Sequence, residues 1–186
     1  MTLTNVRLWT VDQYHCMLAT GILDSNDRVE LLEGQIVPIS PQQPPHASTS
    51  QRTARYLDRL LDGIAYIRTQ LPITLRPKSE PEPDIAVVRI DPREYSDRHP
   101  GPDDIFLIIE ISDRTLLKDR KQKAKAYASA GIVDYWILDV DKRQARIYRN
   151  PGKNGYNSER ILTPDDSLIP LAFPTLDIPL SQLFLP

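Results

Sequence analysis

The sequence contains few of the residues that build disulfides, zinc sites or nucleotide-binding loops. Its one cysteine, Cys16, has no partner for an intrachain disulfide, and its three histidines show no zinc-ligand spacing. Its seven glycines form no phosphate-binding loop, and none of them surrounds Ser112 in the pattern of a serine-hydrolase nucleophile elbow. These absences argue against a zinc protein, a nucleotide-driven enzyme and a serine hydrolase.

Long apolar runs and a strong excess of one charge are also lacking. No run approaches the roughly 18 apolar residues that cross a membrane, and the first residues lack the basic-then-apolar pattern of a secretory signal. We therefore expect no membrane partner and a cytoplasmic location. The net charge is -2, so a nucleic-acid partner would need a local basic patch.

The apolar segments predict an α/β fold. With 186 residues, the length predicts one domain over residues 1–186. Thr10 and Gln13 form a capping-box pattern before a helix, and "RVELLEGQIVPI" is typical of a β-hairpin. "IFLIIEI" and "DYWILDV" are too apolar for a sheet with one wet face, and a helical segment separates them. We expect a parallel central pair in a mixed β-sheet flanked by helices, with "NPGKNGYNSE" as a later loop.

Two carboxylates stand in or beside apolar strand segments. Asp84 precedes "IAVV", and Glu110 interrupts "IFLIIEIS". Asp84 taken alone is more often an ordinary strand-end residue. A carboxylate inside an apolar strand must be solvated, paired or metal-bound, so the two together suggest a site.

One lysine lies on the apolar side of the helical segment that follows Glu110. Six of the twelve residues from 114 to 125 are Lys or Arg. At about 100° per residue, Lys123 faces away from the other three lysines, which are Lys118, Lys121 and Lys125. It shares its side with Leu116, Asp119, Tyr127 and Ala130. A buried lysine needs an acidic partner, and the candidates are Asp119, one turn away, and Glu110.

Two carboxylates and one ammonium suit phosphodiester hydrolysis. The carboxylates could bind a hard divalent cation, and Lys123 could orient or deprotonate a water molecule. The metal would neutralise charge on the scissile phosphate and generate hydroxide, while the lysine adds positive charge in the transition state.

These segments resemble the Uma-type family of endonucleases, a branch of the PD-(D/E)XK nuclease superfamily with the restriction-endonuclease-like fold. The similar segments follow the family order over most of the chain. They are "RVELLEGQIVPISP", His46, "EPDIAVV", "IIEIS", the pattern Asp119-x3-Lys123-x3-Tyr127, and "AGIVDYWILD".

The resemblance implies the roles of several residues in a metal-dependent DNA endonuclease. Asp84 and Glu110 would bind Mg²⁺, for which Mn²⁺ could substitute, and Glu30 matches a further acidic position near the site. The lysine of the E-x-K element is absent, because Ser112 occupies that position, and Lys123 on the next helix would replace it. Residues expected to support this site are Gln70, Asp119 and Tyr127.

The sequence offers weaker indications of partners. Candidate DNA-binding residues lie on two basic helix faces and include Arg52, Arg55 and Lys121. His46 could cap a helix or lie exposed. A homodimer is expected, because cleavage of a duplex is easiest with two sites. Two alternatives stay open: a catalytically inactive nuclease-fold binding or regulatory module, and an enzyme acting on RNA or a small phosphoester.

Overall fold

A six-stranded mixed sheet forms the centre of the protein. The computed structural model describes residues 6–24, 26–112 and 117–184, without the side chains of residues 117–121. The strands, in order across the sheet, are β3 (Tyr66–Thr69), β4 (Ile85–Val88), β5 (Ile105–Ser112), β6 (Asp134–Asp139), β7 (Gln144–Gly152) and β8 (Gly155–Leu162). Strands β5 and β6 are parallel, and the other neighbouring pairs are antiparallel. The predicted α/β fold with a mixed sheet is confirmed.

Helices cover the sheet, and a small N-terminal unit adjoins it. The helices are α1 (Val11–Ala19), α2 (Pro44–Leu60) and α3 (Leu117–Ser129), and β1 (Val29–Leu32) pairs with β2 (Gln35–Pro38). A short pair, β9 (Ser167–Leu168) and β10 (Ile178–Pro179), and two 3₁₀ turns, Pro102–Asp104 and Leu180–Gln182, complete the described elements. Within the described residues, no helix is both long and apolar enough to span a membrane.

The N-terminal unit follows its local sequence signals. Thr10 and Gln13 form the predicted capping box at the start of α1. The β1–β2 turn has positive φ angles at Glu33 (50°) and Gly34 (82°), the conformation of a tight two-residue hairpin turn. A Cβ on Gly34 would lie 2.8 Å from Cβ of Leu8, so this turn admits no larger residue without a shift.

Both faces of β5 are buried, which explains its apolar sequence. Leu107 and Ile109 pack with Leu57 of α2 on one face, and Ile108 packs with Tyr127 of α3 on the other. Successive side chains of a strand point to opposite faces, so Glu110 lies on the same face as Ile108, towards α3.

The connections around β6 and β7 were predicted with one error. The strand, helix, strand order over β5, α3 and β6 gives the expected parallel pair, and β6 and β7 form the expected hairpin. The predicted loop "NPGKNGYNSE" is wrong, because β7 continues to Gly152 and β8 begins at Gly155. Backbone pairing between the two strands, which reaches Gly152 opposite Gly155, makes this polar segment a second hairpin.

A fully buried carboxylate connects β6 to β7 and to the C-terminal segment. Asp134 accepts hydrogen bonds from Trp136 Nε1 (2.9 Å), Arg149 Nε (2.9 Å) and the Leu171 backbone N–H (2.9 Å). Arg149 also donates to the Ile169 carbonyl (2.6 Å). These donors satisfy the hydrogen-bonding capacity of the buried carboxylate. Asp134 is in turn the acceptor that each of these donors needs.

Replacing Asp134 by Ala is expected to lower the free energy of unfolding by about 3 kcal/mol, because it leaves a buried indole N–H, a backbone N–H and part of a guanidinium without their acceptor. Urea unfolding followed by tryptophan fluorescence measures the change. Asp165→Ala, at an exposed position, is the matched control with an expected change within about 0.5 kcal/mol. Equal midpoints for the two variants would contradict a stabilising role for Asp134.

Candidate functional site

The pairing of β4 with β5 brings Asp84 and Glu110 together. Ile85 pairs with Ile109 in this antiparallel ladder, so extending the register by one residue places Asp84 opposite Glu110. Directly opposite residues of an antiparallel pair project from the same face. Both carboxylates are buried, with 7% of each residue exposed. The two acids singled out in the sequence therefore meet at one place.

Three contacts orient the Asp84 carboxylate. The Ile111 backbone N–H donates to Oδ2 (2.8 Å), and Gln42 Nε2 donates to Oδ1 (3.1 Å). Nε2 of His46 lies 3.1 Å from Oδ2. Because a carboxylate offers about four lone-pair directions, these contacts orient Asp84 and still leave it able to bind a further group.

Glu110 accepts two contacts from α3. The Tyr127 hydroxyl donates to Oε1 (2.6 Å), and Lys123 Nζ lies 3.2 Å from the same oxygen. Burial raises the pKa of Glu110 from 4.5 to about 7; the Lys123 charge opposes this shift and the Asp84 charge adds to it. Burial, with the Glu110 charge next, also raises the pKa of Tyr127 well above its ordinary value. Tyr127 therefore stays a hydroxyl donor.

The Lys123 ammonium is surrounded by three acceptors. Nζ lies 3.1 Å from the Glu82 carbonyl, 3.2 Å from Glu110 Oε1 and 3.4 Å from Glu30 Oε2. Burial lowers the pKa of Lys123, but the charges of Glu110, Glu30 and Asp84 outweigh it and raise the pKa above the ordinary value. Of the two predicted partners, Glu110 is in contact, and the side chain of Asp119 lies outside the described residues.

Glu30 reaches the site from strand β1. Its Oε2 accepts the Glu82 backbone N–H (2.9 Å) and lies beside the Lys123 ammonium. Burial, and then the Glu30 charge, raise the pKa of the Glu82 carboxyl. The Lys123 ammonium thus interacts electrostatically with four carboxyl groups, those of Glu30, Glu82, Asp84 and Glu110.

The other predicted residues lie further out or beyond the described side chains. The Gln70 side chain is exposed, although its backbone N–H donates to the Asp84 carbonyl (3.3 Å). Arg55 and Gln70 line an open groove of about 880 Å³ between α2 and β3. Arg52 Nε donates to the Gln182 carbonyl (2.6 Å). The side chain of Lys121 lies outside the described residues.

Sequence reasoning missed three residues of the site. His46 was expected to cap a helix or lie exposed, but only 4% of it is exposed, because α2 begins two residues earlier, at Pro44, and turns the imidazole towards Asp84. Gln42, in the proline-rich loop, carried no signal of its own. Glu82 contacts Glu30 and Lys123 through its backbone N–H and carbonyl. A pattern of side chains in the sequence cannot predict backbone contacts of this kind.

The donor set fits a hard divalent cation. Mg²⁺ prefers oxygen ligands and is commonly held by one or two carboxylates together with water and substrate phosphate. Asp84 and Glu110 supply two buried carboxylates on one face of the sheet, and the pKa of Glu110 is raised first by burial and further by the Asp84 charge. Over residues 6–24, 26–112 and 117–184, no three His, Cys, Asp or Glu side chains form a ready metal-binding group. Glu30 as a third ligand stays a prediction.

Comparisons with known proteins identify the family and the fold. Residues 11–181 match the family described as "Uma2: Putative restriction endonuclease". The chain is also similar to the crystal structure of a "putative nuclease belonging to DUF820" from Anabaena variabilis ATCC 29413. The TM-score is 0.75 at 18% identity, over 94% of this chain and 97% of that one, which shows a shared fold. A search of curated proteins gave no match.

Glu110 is expected to give the protein a pH-dependent stability. Its pKa is about 7 in the folded protein and 4.5 ordinarily, so the folded state binds more protons between these values and loses stability as the pH rises through them. We expect wild type to lose roughly 3 kcal/mol relative to Glu110→Gln between pH 4.5 and pH 8. Urea unfolding of both proteins at the two pH values measures this, and a constant difference would contradict the shift.

Proposed function

The chain belongs to the Uma2 family, and we propose that it is an endonuclease that hydrolyses DNA phosphodiester bonds with the aid of Mg²⁺. The observation that carries this proposal is the meeting of two buried carboxylates, Asp84 and Glu110, with the ammonium of Lys123, whose side chain is only 15% exposed. Phosphodiester hydrolysis needs positive charge around the phosphate and an activated water molecule. Carboxylates that hold a cation, and a lysine beside them, supply both.

Asp84 and Glu110 would hold the ion. When bound, Mg²⁺ neutralises charge on the phosphate and lowers the pKa of a coordinated water molecule. Gln42, His46 and the Ile111 N–H keep Asp84 in one orientation, and Tyr127 does the same for Glu110. Such supporting contacts typically change metal affinity by about 10–100-fold.

Lys123 would act as a fixed positive charge and hydrogen-bond donor. The neighbouring acids hold its pKa above the ordinary value, so we propose that it orients the attacking water molecule or contacts a phosphate oxygen, and does not remove a proton. An ammonium held in place before the substrate arrives stabilises developing negative charge without reorganisation. Its helix position would compensate for Ser112 at the position of the E-x-K lysine.

The groove between α2 and β3 is a suitable path for the nucleic acid. Both of its walls reach the segment that carries Asp84. His46 on α2 contacts the Asp84 carboxylate, and the Gln70 backbone N–H, after β3, donates to the Pro83 carbonyl (3.1 Å) and to the Asp84 carbonyl (3.3 Å). Ser48, Gln51 and Arg55 line it with groups that can contact phosphates. A homodimer, which would offer two sites to a duplex, and a cytoplasmic location stay predictions.

A catalytically inactive binding or regulatory module is the second candidate. The absent E-x-K lysine and the net charge of -2 favour it. Such a module would bind DNA or protein in the same way with and without divalent metal. An enzyme for RNA or a small phosphoester would keep the metal dependence but prefer another substrate.

Supercoiled plasmid is expected to be nicked by wild type with Mg²⁺ or Mn²⁺, and to stay intact with chelator. Glu110→Gln, purified identically, should lower the rate at least about 100-fold, because it removes a charge that holds the ion. Gel quantification of nicked and linear products over time measures both rates. Glu159→Gln, on the surface of β8, is the matched control and should cut like wild type.

Equal cutting by wild type and Glu110→Gln would identify a contaminant and contradict the proposed active site. If neither cuts plasmid, single-stranded DNA and RNA are tested with the same pair of proteins. Metal-dependent cleavage of RNA alone would reassign the substrate. Metal-independent binding without cleavage of any of them would favour the binding module.

A further inference from the structure

Glu30 and Lys123 connect the β1–β2 hairpin to helix α3 inside the site. The exposed fractions of their side chains are 7% for Glu30 and 15% for Lys123, and their charged atoms lie 3.4 Å apart. The Glu30 carboxylate is itself fixed, because the same oxygen accepts the Glu82 backbone N–H at 2.9 Å. The Glu82 carbonyl then accepts from Lys123 at 3.1 Å. Glu30, the Glu82 peptide segment and Lys123 thus form a closed set of contacts.

We propose that Glu30 is a positioning residue for the Lys123 ammonium and not a third ligand of the metal. The proposal rests on the proposed function in so far as Lys123 acts on the phosphodiester. An ammonium has three N–H donors, and Lys123 has three acceptors, namely Glu30, the Glu82 carbonyl and Glu110, at 3.1–3.4 Å. Glu30 contributes one of the three directions that fix Nζ in space.

The surroundings of Glu30 argue against direct metal binding. Its Oε2 accepts the Glu82 backbone N–H and lies beside the Lys123 ammonium, so the contacts of this oxygen are those of a residue that holds the lysine and the peptide next to it. Asp84 and Glu110 come from strands that face each other across one ladder, whereas Glu30 comes from the separate β1–β2 hairpin. Within the described part of the chain, no third acidic or histidine side chain completes a metal-binding group with them.

The same hairpin offers a matched control. Glu33, at the β1–β2 turn, forms a second ion pair with α3, 2.8 Å from Lys125 Nζ. This pair is more exposed, with 35% of the Glu33 side chain and 51% of the Lys125 side chain accessible, and exposed pairs contribute little to stability. Glu33→Gln therefore removes a hairpin-to-helix ion pair without touching the site.

Binding of Mn²⁺ to the full chain without DNA separates the two roles of Glu30. The signal of free Mn²⁺ in electron paramagnetic resonance gives the affinity of wild type, Glu30→Gln and Glu110→Gln. We expect Glu110→Gln to weaken binding at least about tenfold and Glu30→Gln to weaken it by about threefold or less. A loss in Glu30→Gln as large as that in Glu110→Gln would make Glu30 a ligand and overturn the proposal.

Acetylation of lysine amines tests the contact with Lys123 independently of metal and of nuclease activity. Peptide mass spectrometry of the folded proteins gives the relative labelling rate of each lysine. In Glu30→Gln the rate at Lys123 should rise at least about fivefold, the factor that corresponds to the loss of one hydrogen bond. In Glu33→Gln the rate at Lys123 should not change. An unchanged rate at Lys123 in Glu30→Gln would overturn the proposal even if the protein binds Mn²⁺ as expected.

Cleavage kinetics connect the position of the ammonium to the reaction. The single-turnover rate of plasmid nicking should fall about tenfold or more in Glu30→Gln at an unchanged half-saturating DNA concentration, because the transition state loses a fixed charge and ground-state binding does not. A variant that labels faster at Lys123 but cuts at the wild-type rate would overturn the positioning role. If wild type neither binds Mn²⁺ nor cuts, the proposed function fails, and the labelling result alone decides whether Glu30 holds the lysine.

Discussion

The buried ion cluster around Lys123 holds together parts of the chain that are far apart in sequence. Its acceptors come from β1, from the segment before β4 and from β5, while the lysine itself stands on α3. An unpaired buried ammonium costs several kcal/mol or loses its proton, and unpaired buried carboxylates are equally unfavourable. Each charge is therefore tolerable only because the others are in place. The hairpin, the sheet and the helix must dock in one arrangement for the cluster to form.

The main features of the site could be predicted because they follow from two backbone periodicities. The two-residue period of strands places Asp84 and Glu110 on one face once β4 and β5 pair, and the helical period separates Lys123 from the exposed lysines. Gln42 and His46 could not be found in this way. Their contacts with Asp84 join residues about forty positions apart and depend on where α2 begins. The prolines at the first two positions of α2 obscured this start in the sequence. Local sequence patterns cannot predict contacts between residues so far apart in the chain.

The fold itself was predictable where burial dominates and less so where it does not. The apolar runs of β5 and β6 are covered on both faces, so their composition reports their position directly. The β7–β8 hairpin is different, because its outer part is polar and rich in turn-forming residues, and composition alone indicated a loop. Pairing along the backbone, which continues to Gly152 and Gly155, overrides that local preference.

Lys123 is positioned by helix α3, whereas the two carboxylates are positioned by the sheet. Asp84 and Glu110 belong to the central ladder, whose strands are buried on both faces, whereas Lys123 reaches them only while α3 and the hairpin stay docked. Proteins open in cooperative units with different free energies. Undocking of the peripheral unit would separate the cation from the acids while the sheet stays folded. Heat would then separate Lys123 from the two carboxylates before it melts the sheet, and amide hydrogen exchange would be faster in α3 and the hairpin than in β5.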